Sequence, residues 1–267
     1  MTAAVRRLRR RWRGGLPAAS AAPAPASVPA AARPAGRRPP PVWLFDLDDT
    51  LHDASHAAFG QASAAMNDYI VRHIGLTAEE AAVLRQGYWR RYGATLLGLV
   101  RHHGVVARHF LDETHALPGL EERLRCHAAD RRALCRLPGR RYVVTNGPRA
   151  YAARVLRGLR LHGLFDGVLG VEDMRMFGEH RPKPDRRALR HLLARLKLVP
   201  ARCVLVEDTL SNQKAVRRLG LRTVWMQGYQ PPGARAAGGR ARGGRPAYVC
   251  ARIKRIAALR ALQQFSR

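Results

Sequence analysis

Acidic residues are scarce in this chain, and both of its ends lack them altogether. The 267 residues include 48 lysines and arginines but only 19 aspartates and glutamates, for a formal net charge of +29. All the acids lie between Asp46 and Asp208, so residues 1–41 and 231–267 carry 9 basic residues each and no acid. Such charge can neutralise nucleic-acid phosphates, but no recognition motif accompanies it. Only 4 of the basic residues are lysines, so the coding bias of a GC-rich genome explains this composition better than nucleic-acid binding.

Cysteine pairs and long apolar runs are also missing. Among the four cysteines there is no CxxC spacing, Cys126 and Cys135 with His127 lack a fourth metal ligand, and Cys203 lies in an apolar run typical of a core. Unpaired cysteines fit a reducing compartment, so we predict a cytoplasmic location. No apolar run approaches the roughly 20 residues that span a bilayer, so no membrane partner is predicted. The glycine-rich loops that bind ATP or NAD are absent as well.

Two segments have the composition of unstructured chain. Residues 1–40 are rich in arginine, alanine and proline, which predicts a disordered basic tail. The tail resembles an organelle-targeting segment, and a tail without function or a mis-assigned start remain open alternatives. Residues 231–246 are rich in glycine, arginine and proline, which predicts a flexible loop.

The remaining sequence alternates between short apolar runs and helical periodicity. This alternation predicts an α/β fold with a Rossmann-like, doubly wound parallel sheet, whose active groups lie at the carboxyl ends of the strands. The predicted strands are Val42–Asp46, Arg141–Thr145, Gly167–Gly170, Cys203–Glu207, Arg222–Trp225 and a short last strand at Tyr248–Val249. The predicted helices between and after them are Arg149–Leu159, Pro184–Leu196, Leu210–Leu219 and Ile253–Leu262.

Residues 54–138 interrupt this alternation with helical periodicity alone. The predicted helices there are Ala57–Ile74, Thr77–Tyr92 and Thr95–His103, followed by further helical stretches. We therefore predict a helical cap over residues 54–138, inserted into a core formed by residues 41–53 and 139–267. Four histidines of this segment show no metal-ligand spacing and are interpreted as surface or helix-terminal residues: His102, His103, His109 and His115.

Carboxylates and other polar groups follow the predicted strands. Parallel strands bring their carboxyl ends to one edge of the sheet, so these groups should meet. They are Asp46 and Asp48 after the first strand, Thr145 and Asn146 after the second, Lys183 before a helix, and Glu207 and Asp208 after the fourth. Two carboxylates about 4 Å apart repel by roughly 4 kcal/mol at an effective dielectric constant of 20, so the cluster needs a cation. Oxygen ligands favour Mg²⁺, while Lys183 and the Thr145 hydroxyl suit phosphoryl oxygens.

Four motifs carry a family resemblance. They are Asp46-Leu-Asp-Asp-Thr-Leu51, Val143-Val-Thr-Asn-Gly147, Arg181-Pro-Lys-Pro184 and Val206-Glu-Asp-Thr209. In this order they resemble the motifs of the haloacid dehalogenase (HAD) superfamily, subfamily IA, whose members carry a helical C1-type cap. The resemblance implies a Mg²⁺-dependent phosphomonoester hydrolase that works through an aspartyl-phosphate.

The resemblance also implies a role for each acid. Asp46 would be the nucleophile and also a metal ligand. Asp48 would be the general acid and then the base that activates water, with its backbone carbonyl reaching the metal. Asp208 would complete the Mg²⁺ shell, with Glu207 as a further ligand or just outside the shell. Asp49 lies where the family tolerates several residues and receives no catalytic role.

The remaining motif residues would bind the phosphoryl group. The resemblance assigns this task to Thr145 and the backbone of Asn146, and makes Lys183 the cation that neutralises developing charge. Dehalogenases of the superfamily lack an acid at the position of Asp48, because a halide leaving group needs no proton. The presence of Asp48 therefore favours phosphate transfer over dehalogenation.

The sequence of the cap indicates which class of substrate the protein acts on. Residues Tyr88–Gly104 resemble the cap of the pyrimidine 5′-nucleotidase branch, although His52 stands where that branch more usually has tyrosine. The implied substrate is a nucleoside 5′-monophosphate. Four residues either contact its base or ribose or form a solvated helix face: Gln86, Tyr88, Arg90 and Arg91.

Several alternatives stay open at this stage. One is a phosphatase or phosphomutase for phosphoglycolate or a sugar phosphate, since the same core supports these reactions. Another is a nucleic-acid-associated protein that uses its basic tails. The predicted partner is a small phosphomonoester, and both a monomer and a homodimer fit the sequence.

Overall fold

The computed structural model of the chain describes residues 39–229 and 244–262. The predicted basic tail, apart from its last two residues, and most of the loop at 231–246 lie outside the described residues. Within the described ranges no helix combines the length and apolar character that crossing a membrane requires.

Eight strands are present in the described part of the chain. They are β1 Val42–Phe45, β2 Arg141–Val144, β3 Gly167–Leu169, β4 Arg175–Met176, β5 Glu179–His180, β6 Cys203–Glu207, β7 Arg222–Met226 and β8 Ala251–Ile253. Six form one parallel sheet in the order β3-β2-β1-β6-β7-β8, and β4 and β5 form a separate antiparallel hairpin. The five main predicted strands are confirmed, and the parallel sheet with flanking helices is the predicted Rossmann-like α/β fold.

The α-helices occupy the inserted segment and the connections between strands. They are α1 Ala54–Ala57, α2 Phe59–Ile74, α3 Ala78–Tyr92, α4 Thr95–His103, α5 Ala107–Thr114, α6 Leu120–Arg123, α7 Ala128–Arg136, α8 Arg149–Gly158, α9 Arg186–Arg195 and α10 Leu210–Arg217. Short 3₁₀ helices lie at His162–Leu164, Val171–Asp173, Pro200–Arg202 and Ile256–Ala261. The start of α3 follows the predicted capping pattern, since Thr77 and Glu80 exchange side-chain-to-backbone hydrogen bonds of 2.9 and 3.2 Å.

Both faces of the sheet are buried, as expected for parallel strands. Along β1 the side chains alternate, so Trp43 and Phe45 join one apolar cluster and Val42 and Leu44 join the other. Helix α8 and the 3₁₀ helix Ile256–Ala261 cover the first face, and α9 covers the second. The chain runs from β1 outward to β2 and β3 and then crosses to β6 on the other side of β1, so the strand order reverses there. Such a reversal opens a crevice at the carboxyl end of β1.

The inserted segment packs in two parts. Helices α2 to α5 form their own apolar cluster around Ile70, Leu99 and Phe110. The buried leucines that follow, from Leu117 to Leu137, join the cluster on the first face of the sheet instead. Helices α6 and α7 therefore pack against the sheet, whereas α2 to α5 form a separate helical layer.

Three predicted elements differ in detail from the structure. The last strand forms at Ala251–Ile253 rather than Tyr248–Val249, and the predicted helix Ile253–Leu262 is a 3₁₀ helix from Ile256. Helix α9 begins at Arg186 rather than Pro184, because the Asp185 carboxylate caps it by accepting from the backbone N–H groups of Arg187 and Ala188.

Candidate active site

A buried lysine joins two strand ends at the centre of the crevice. Lys183 Nζ donates to Asp46 Oδ1 at 2.6 Å and to Glu207 Oε2 at 2.8 Å. Lys183 is 2 % exposed, Asp46 6 % and Glu207 1 %. A buried charge is stable only when paired and hydrogen-bonded, so this triad is a specific arrangement and not an incidental contact.

The charges in this crevice shift one another's pKa values. Burial, followed by repulsion from Glu207, raises the pKa of Asp46 to about 8. Burial and the neighbouring Glu207 and Asp46 raise the pKa of Asp208 to about 9. Burial alone would lower the pKa of Lys183, but the attraction of Asp46 and Glu207 outweighs it and raises that pKa. Lys183 thus remains a cation, while the raised pKa values of Asp46 and Asp208 mean that one lysine alone does not stabilise all three acids in their charged form.

The donor set fits a hard divalent cation. Asp46, Glu207 and Asp208 can each offer a carboxylate oxygen within 4.8 Å of the others. All three donors are oxygens, which is the chemistry that Mg²⁺ prefers. Glu207 is already engaged at both oxygens, because Oε1 accepts from the Thr209 backbone N–H at 3.1 Å and Oε2 accepts from Lys183.

The loop after β2 holds the lysine segment in place. The Asn146 side chain donates to the Lys183 carbonyl at 2.9 Å and accepts from the Lys183 backbone N–H at 2.8 Å. This paired contact ties the end of β2 to the segment before α9. Beside it, the buried Thr145 Oγ1 accepts from the Gly147 backbone N–H at 2.9 Å.

Asp48 has two partners that the sequence did not single out for this role. Tyr151 on α8 donates its hydroxyl to Asp48 Oδ1 at 2.8 Å, and His52 Nε2 lies 3.0 Å from the same oxygen. His52 is fully buried, and its Nδ1 has no hydrogen-bond partner among the described residues. Since a carboxylate only accepts, the imidazole proton belongs on Nε2. Asp48 is therefore held by two donors while Asp46 faces the lysine.

Asp49 has a local structural role. Its carboxylate accepts from the Ser55 backbone N–H at 2.9 Å and from the Ser55 hydroxyl at 2.6 Å. Its backbone is in the left-handed region, with φ of 53°, which aspartate tolerates better than most residues. These contacts tie the loop after β1 to the start of α1.

A cavity of about 500 Å³ lies above the strand ends, between them and helices α2 to α5. All seven predicted site residues line it: Asp46, Asp48, Thr145, Asn146, Lys183, Glu207 and Asp208. The cap contributes Arg85 and Trp89 from α3, together with apolar side chains of α2, α4 and α5. Its size is that of a small-molecule site.

The four cap residues predicted to contact a base are not among those that line this cavity. Tyr88 bonds His103 at 2.8 Å, and Arg90 donates to Gln86 at 3.2 Å, one turn earlier on the same helix. Arg91 lies over the ring of Tyr92. The positions that face the cavity are Arg85 and Trp89, one turn apart on a different stripe of α3.

His115 is a further residue whose role the sequence did not reveal. It ends α5 as expected of a helix-terminal histidine, but it also lines the cavity and packs edge-on to Tyr151, with ring centroids 5.7 Å apart. Burial lowers its pKa, which favours the neutral ring. Its position depends on how the cap closes onto the sheet, and sequence spacing carries no signal of that.

Comparison with protein families identifies the family to which this chain belongs. Residues 42–220, more than half of the chain, match the model of the haloacid dehalogenase-like hydrolase family. The chain belongs to this family. The match begins at β1 and includes the four strand-end motifs together with the helical insertion.

One characterised relative shows low sequence identity to this chain. The chain is 24% identical over 193 residues to phosphate metabolism protein 8 of Saccharomyces cerevisiae, an alignment that covers 67% of this chain and 59% of the relative. The chain thus spans less than two thirds of that protein's length.

Solved structures of HAD proteins share the fold. A HAD phosphatase from Thermococcus onnurineus is similar with a TM-score of 0.55 at 18% identity, over 83% of this chain and 96% of that one. The HAD-hydrolase YfnB from Bacillus subtilis, bound to magnesium, gives 0.51 at 20% identity over 84% and 98%. A 2-haloacid dehalogenase from Pseudomonas syringae gives 0.50 at 20% identity over 83% and 97%. Phosphatases and dehalogenases share this fold, so the fold alone does not choose the reaction.

Proposed function

We propose that this HAD-family hydrolase is a Mg²⁺-dependent phosphatase that hydrolyses a small phosphomonoester through an aspartyl-phosphate. The observation that carries the proposal is the contrast between two acids two residues apart. Asp46 is buried and bonded to Lys183, while Asp48 is partly exposed and held by Tyr151 and His52. Such a pair divides the roles of nucleophile and proton carrier between two environments.

The residues act in two steps. Asp46 attacks phosphorus, the ester P–O bond breaks, and the leaving oxygen takes a proton from Asp48. Asp48 then removes a proton from water, the water oxygen attacks phosphorus, and the bond to Asp46 breaks to release phosphate. Asp48 ends each cycle protonated, ready for the next leaving group.

The other site residues stabilise charge and fix positions. Lys183 neutralises the phosphoryl oxygens and the nucleophile, and the pair of bonds from Asn146 to its backbone sets its place. The Thr145 hydroxyl and the Asn146 backbone hold the phosphoryl group. Asp46 and Asp208, with Glu207 beside them, would hold Mg²⁺, which supplies charge neutralisation for a phosphoryl group when bound. Magnesium bound to YfnB supports this assignment.

Asp48 favours phosphate transfer over dehalogenation. Halide leaves without a proton, so a dehalogenase has no use for an acid held at this position. Here two donors orient the Asp48 carboxylate, and it lines the cavity beside the nucleophile. The name of the yeast relative, a phosphate metabolism protein, points the same way.

The substrate we propose is a nucleoside 5′-monophosphate. The cavity offers Trp89 and Phe59, exposed by 62 % and 43 %, as flat apolar surfaces for a base, with Arg85 beside them. Aromatic faces bind bases by stacking. Phosphoglycolate carries no apolar group that would use these rings, so the lining favours a nucleotide over that alternative.

A panel of phosphomonoesters with Mg²⁺ tests both levels of the proposal. It contains nucleoside monophosphates, sugar phosphates, phosphoglycolate, an aryl phosphate and, for dehalogenation, a 2-haloacid. We expect phosphate release from nucleoside monophosphates and no halide release. Absence of turnover with every phosphate ester by the folded protein would contradict phosphatase function, whereas turnover of sugar phosphates alone would contradict only the substrate.

Asp46→Asn tests the nucleophile. The amide cannot form the acyl-phosphate, so we expect kcat to fall by at least about 10³-fold. Asp112→Asn on α5 is the matched control, because its side chain is 67% exposed and does not line this cavity. Equal activity of Asp46→Asn and the control would rule out the covalent route.

Asp48→Asn tests the proton carrier through the leaving group. We expect kcat/KM for a nucleotide to fall by roughly 10²- to 10⁴-fold, the usual contribution of general acid–base catalysis. An aryl phosphate, whose phenolate needs less protonation, should lose less in its first step. The same loss for both leaving groups in single-turnover measurements of that step would contradict the role as general acid.

A further inference from the structure

A second group of metal-ligating side chains lies on the cap, away from the strand ends. It consists of His73 in the last turn of α2 and His109 and Glu113 one turn apart on α5. His109 Nε2 lies 2.8 Å from Glu113 Oε1, and His73 Nε2 lies 3.6 Å from the same oxygen. One potential ligand atom from each of the three residues lies within 4.8 Å of the others. We call these three residues the cap cluster.

Neighbouring side chains orient two of the three ligands. The Tyr69 hydroxyl lies 3.0 Å from His109 Nδ1, so that ring nitrogen is engaged and Nε2 faces Glu113. Arg72 donates to Glu113 Oε2 at 2.7 Å, which leaves Oε1 as the oxygen that both histidines approach. Partners of this kind fix tautomer and carboxylate orientation at established metal sites.

The third ligand is held by ring packing. The Tyr69 and His73 rings lie 4.3 Å apart between centroids, and His73 meets His109 edge-on at 5.1 Å. Tyr69 is itself 3 % exposed and part of the cap core. A single rigid residue therefore contacts both histidines, which makes the cap cluster a preorganised arrangement.

Protonated histidines would also pair with Glu113, so the geometry has to be weighed against that simpler explanation. A neutral imidazole can also donate its Nε2 proton to the carboxylate, and the 2.8 Å contact of His109 fits such a hydrogen bond. That hydrogen bond involves one imidazole only and does not account for the Nε2 of His73, which approaches the same oxygen at 3.6 Å. A cation among the three atoms would account for their convergence. Neutral histidine is the form that binds metals.

We propose that the cap cluster binds Zn²⁺ through His73, His109 and Glu113, with water completing the coordination. Two imidazoles and one carboxylate match the tetrahedral preferences of zinc, and imidazole selects such ions over Mg²⁺. The ion would connect the end of α2 to α5. Helix α5 also carries Phe110 and Leu111, which line the active-site cavity, so the ion would fix one wall of the substrate site.

The test is a titration of tag-free full-length protein with Co²⁺, followed by competition with Zn²⁺. Saturating Mg²⁺ is present throughout, so that the oxygen-only site is occupied by a hard ion. The absorption bands of Co²⁺ report tetrahedral coordination with nitrogen ligands directly. We expect one equivalent of Co²⁺ to bind with such bands and Zn²⁺ to displace it.

Three variants distinguish the cap cluster from surface histidines in general. His73→Gln and His109→Gln should each weaken Co²⁺ binding by at least about tenfold, because each removes a ligand. The control His102→Gln changes another cap histidine that bonds a tyrosine, Tyr92, but lies outside the cap cluster. Unchanged affinity in either ligand variant, or an equal loss in the control, would overturn the proposal.

Thermal unfolding distinguishes loss of a metal ligand from loss of the folded structure. A ligand that binds only the folded state raises the unfolding temperature, so Zn²⁺ should raise it in the parent protein and in His102→Gln. The same addition should leave the unfolding temperature of His73→Gln unchanged. A Zn²⁺-dependent rise of equal size in His73→Gln would contradict the site.

Discussion

The chain brings metal-ligating side chains together at the strand ends and on the cap, and the pKa of an acid shifts in opposite directions in these two clusters. At the strand ends, burial and neighbouring carboxylates raise the pKa of Asp46 to about 8. On the cap, the hydrogen bond from Arg72 lowers the pKa of the partly exposed Glu113. The two acids belong to the same chemical class, so the environment alone sets the direction of the shift.

The difference also decides which cation each place suits. The strand-end cluster offers three carboxylates and an internal lysine, a set for a hard ion and an anionic substrate. The cap cluster offers two imidazoles and one carboxylate, a set for a borderline ion such as zinc. Burial makes the first cluster energetically demanding, which is typical of catalytic sites. The second is largely exposed and suits a stabilising role.

Removing the metal ions should give the largest difference between the two clusters, because one affects kcat and the other affects thermal stability. After treatment with EDTA we expect kcat to fall by roughly 10³-fold, since metal ions supply several kcal/mol of transition-state stabilisation. Adding Mg²⁺ should restore kcat, and adding Zn²⁺ should raise the unfolding temperature without restoring kcat. Phosphate release and thermal unfolding, measured on the same samples, check both.

Two outcomes would contradict the assignment of Mg²⁺ to the strand ends and Zn²⁺ to the cap. Full activity after exhaustive chelation would show that the strand-end carboxylates work without a divalent ion. Recovery of activity with Zn²⁺ alone would show that the two clusters do not differ in the cation they use.

Removing the lysine or arginine that pairs with the acids of each cluster compares a buried with an exposed ion pair. Lys183→Met leaves Asp46 and Glu207 without their shared partner, so we expect the free energy of unfolding to fall by about 3–5 kcal/mol without Mg²⁺. Arg72→Met breaks a pair whose arginine is 57% exposed, and we expect no measurable change in stability. Urea unfolding, monitored by circular dichroism, gives both values.

Adding Mg²⁺ tests the same comparison of buried and exposed ion pairs more strictly. Because Mg²⁺ offsets part of the carboxylate repulsion, it should stabilise Lys183→Met more than the parent protein. Equal losses of stability in Lys183→Met and Arg72→Met would mean that burial of the lysine triad carries no energetic weight.

The strand ends could be predicted from sequence because their chemistry is local. Each polar residue directly follows an apolar strand, and parallel topology brings such ends together without further information. That reasoning predicted Asp46, Lys183 and Asp208 as neighbours, and all three line one cavity. It did not predict that Asn146 would hold the lysine segment, since nothing in Thr-Asn-Gly specifies a partner 37 residues away.

The cap could not be predicted to the same depth. His109 and three other cap histidines show no metal-ligand spacing among themselves, so the sequence predicts no such role for His109, although Glu113 follows it by one helical turn. Its proposed co-ligand His73 lies on a helix that only tertiary packing brings near. Likewise, Gln86 and Arg90 share α3 with Arg85 and Trp89, and the direction in which the helix faces decides which stripe meets the cavity. A small rotation of an amphipathic helix is invisible in a pattern that defines only an approximate apolar face.

Two tyrosine hydroxyls provide the smallest and most selective comparison. Tyr151 donates to Asp48 at 2.8 Å, and Tyr69 lies 3.0 Å from a proposed zinc-ligand histidine. Tyr151→Phe removes one hydrogen bond to a charged group, so we expect kcat to fall about tenfold, or about 1.4 kcal/mol, with KM nearly unchanged. Tyr69→Phe removes the equivalent support in the cap, and its effect should be about tenfold on Co²⁺ affinity. Because phenylalanine preserves the packing of both rings, a drop in unfolding temperature without these specific losses would show that the hydroxyls serve the fold rather than the residues they contact.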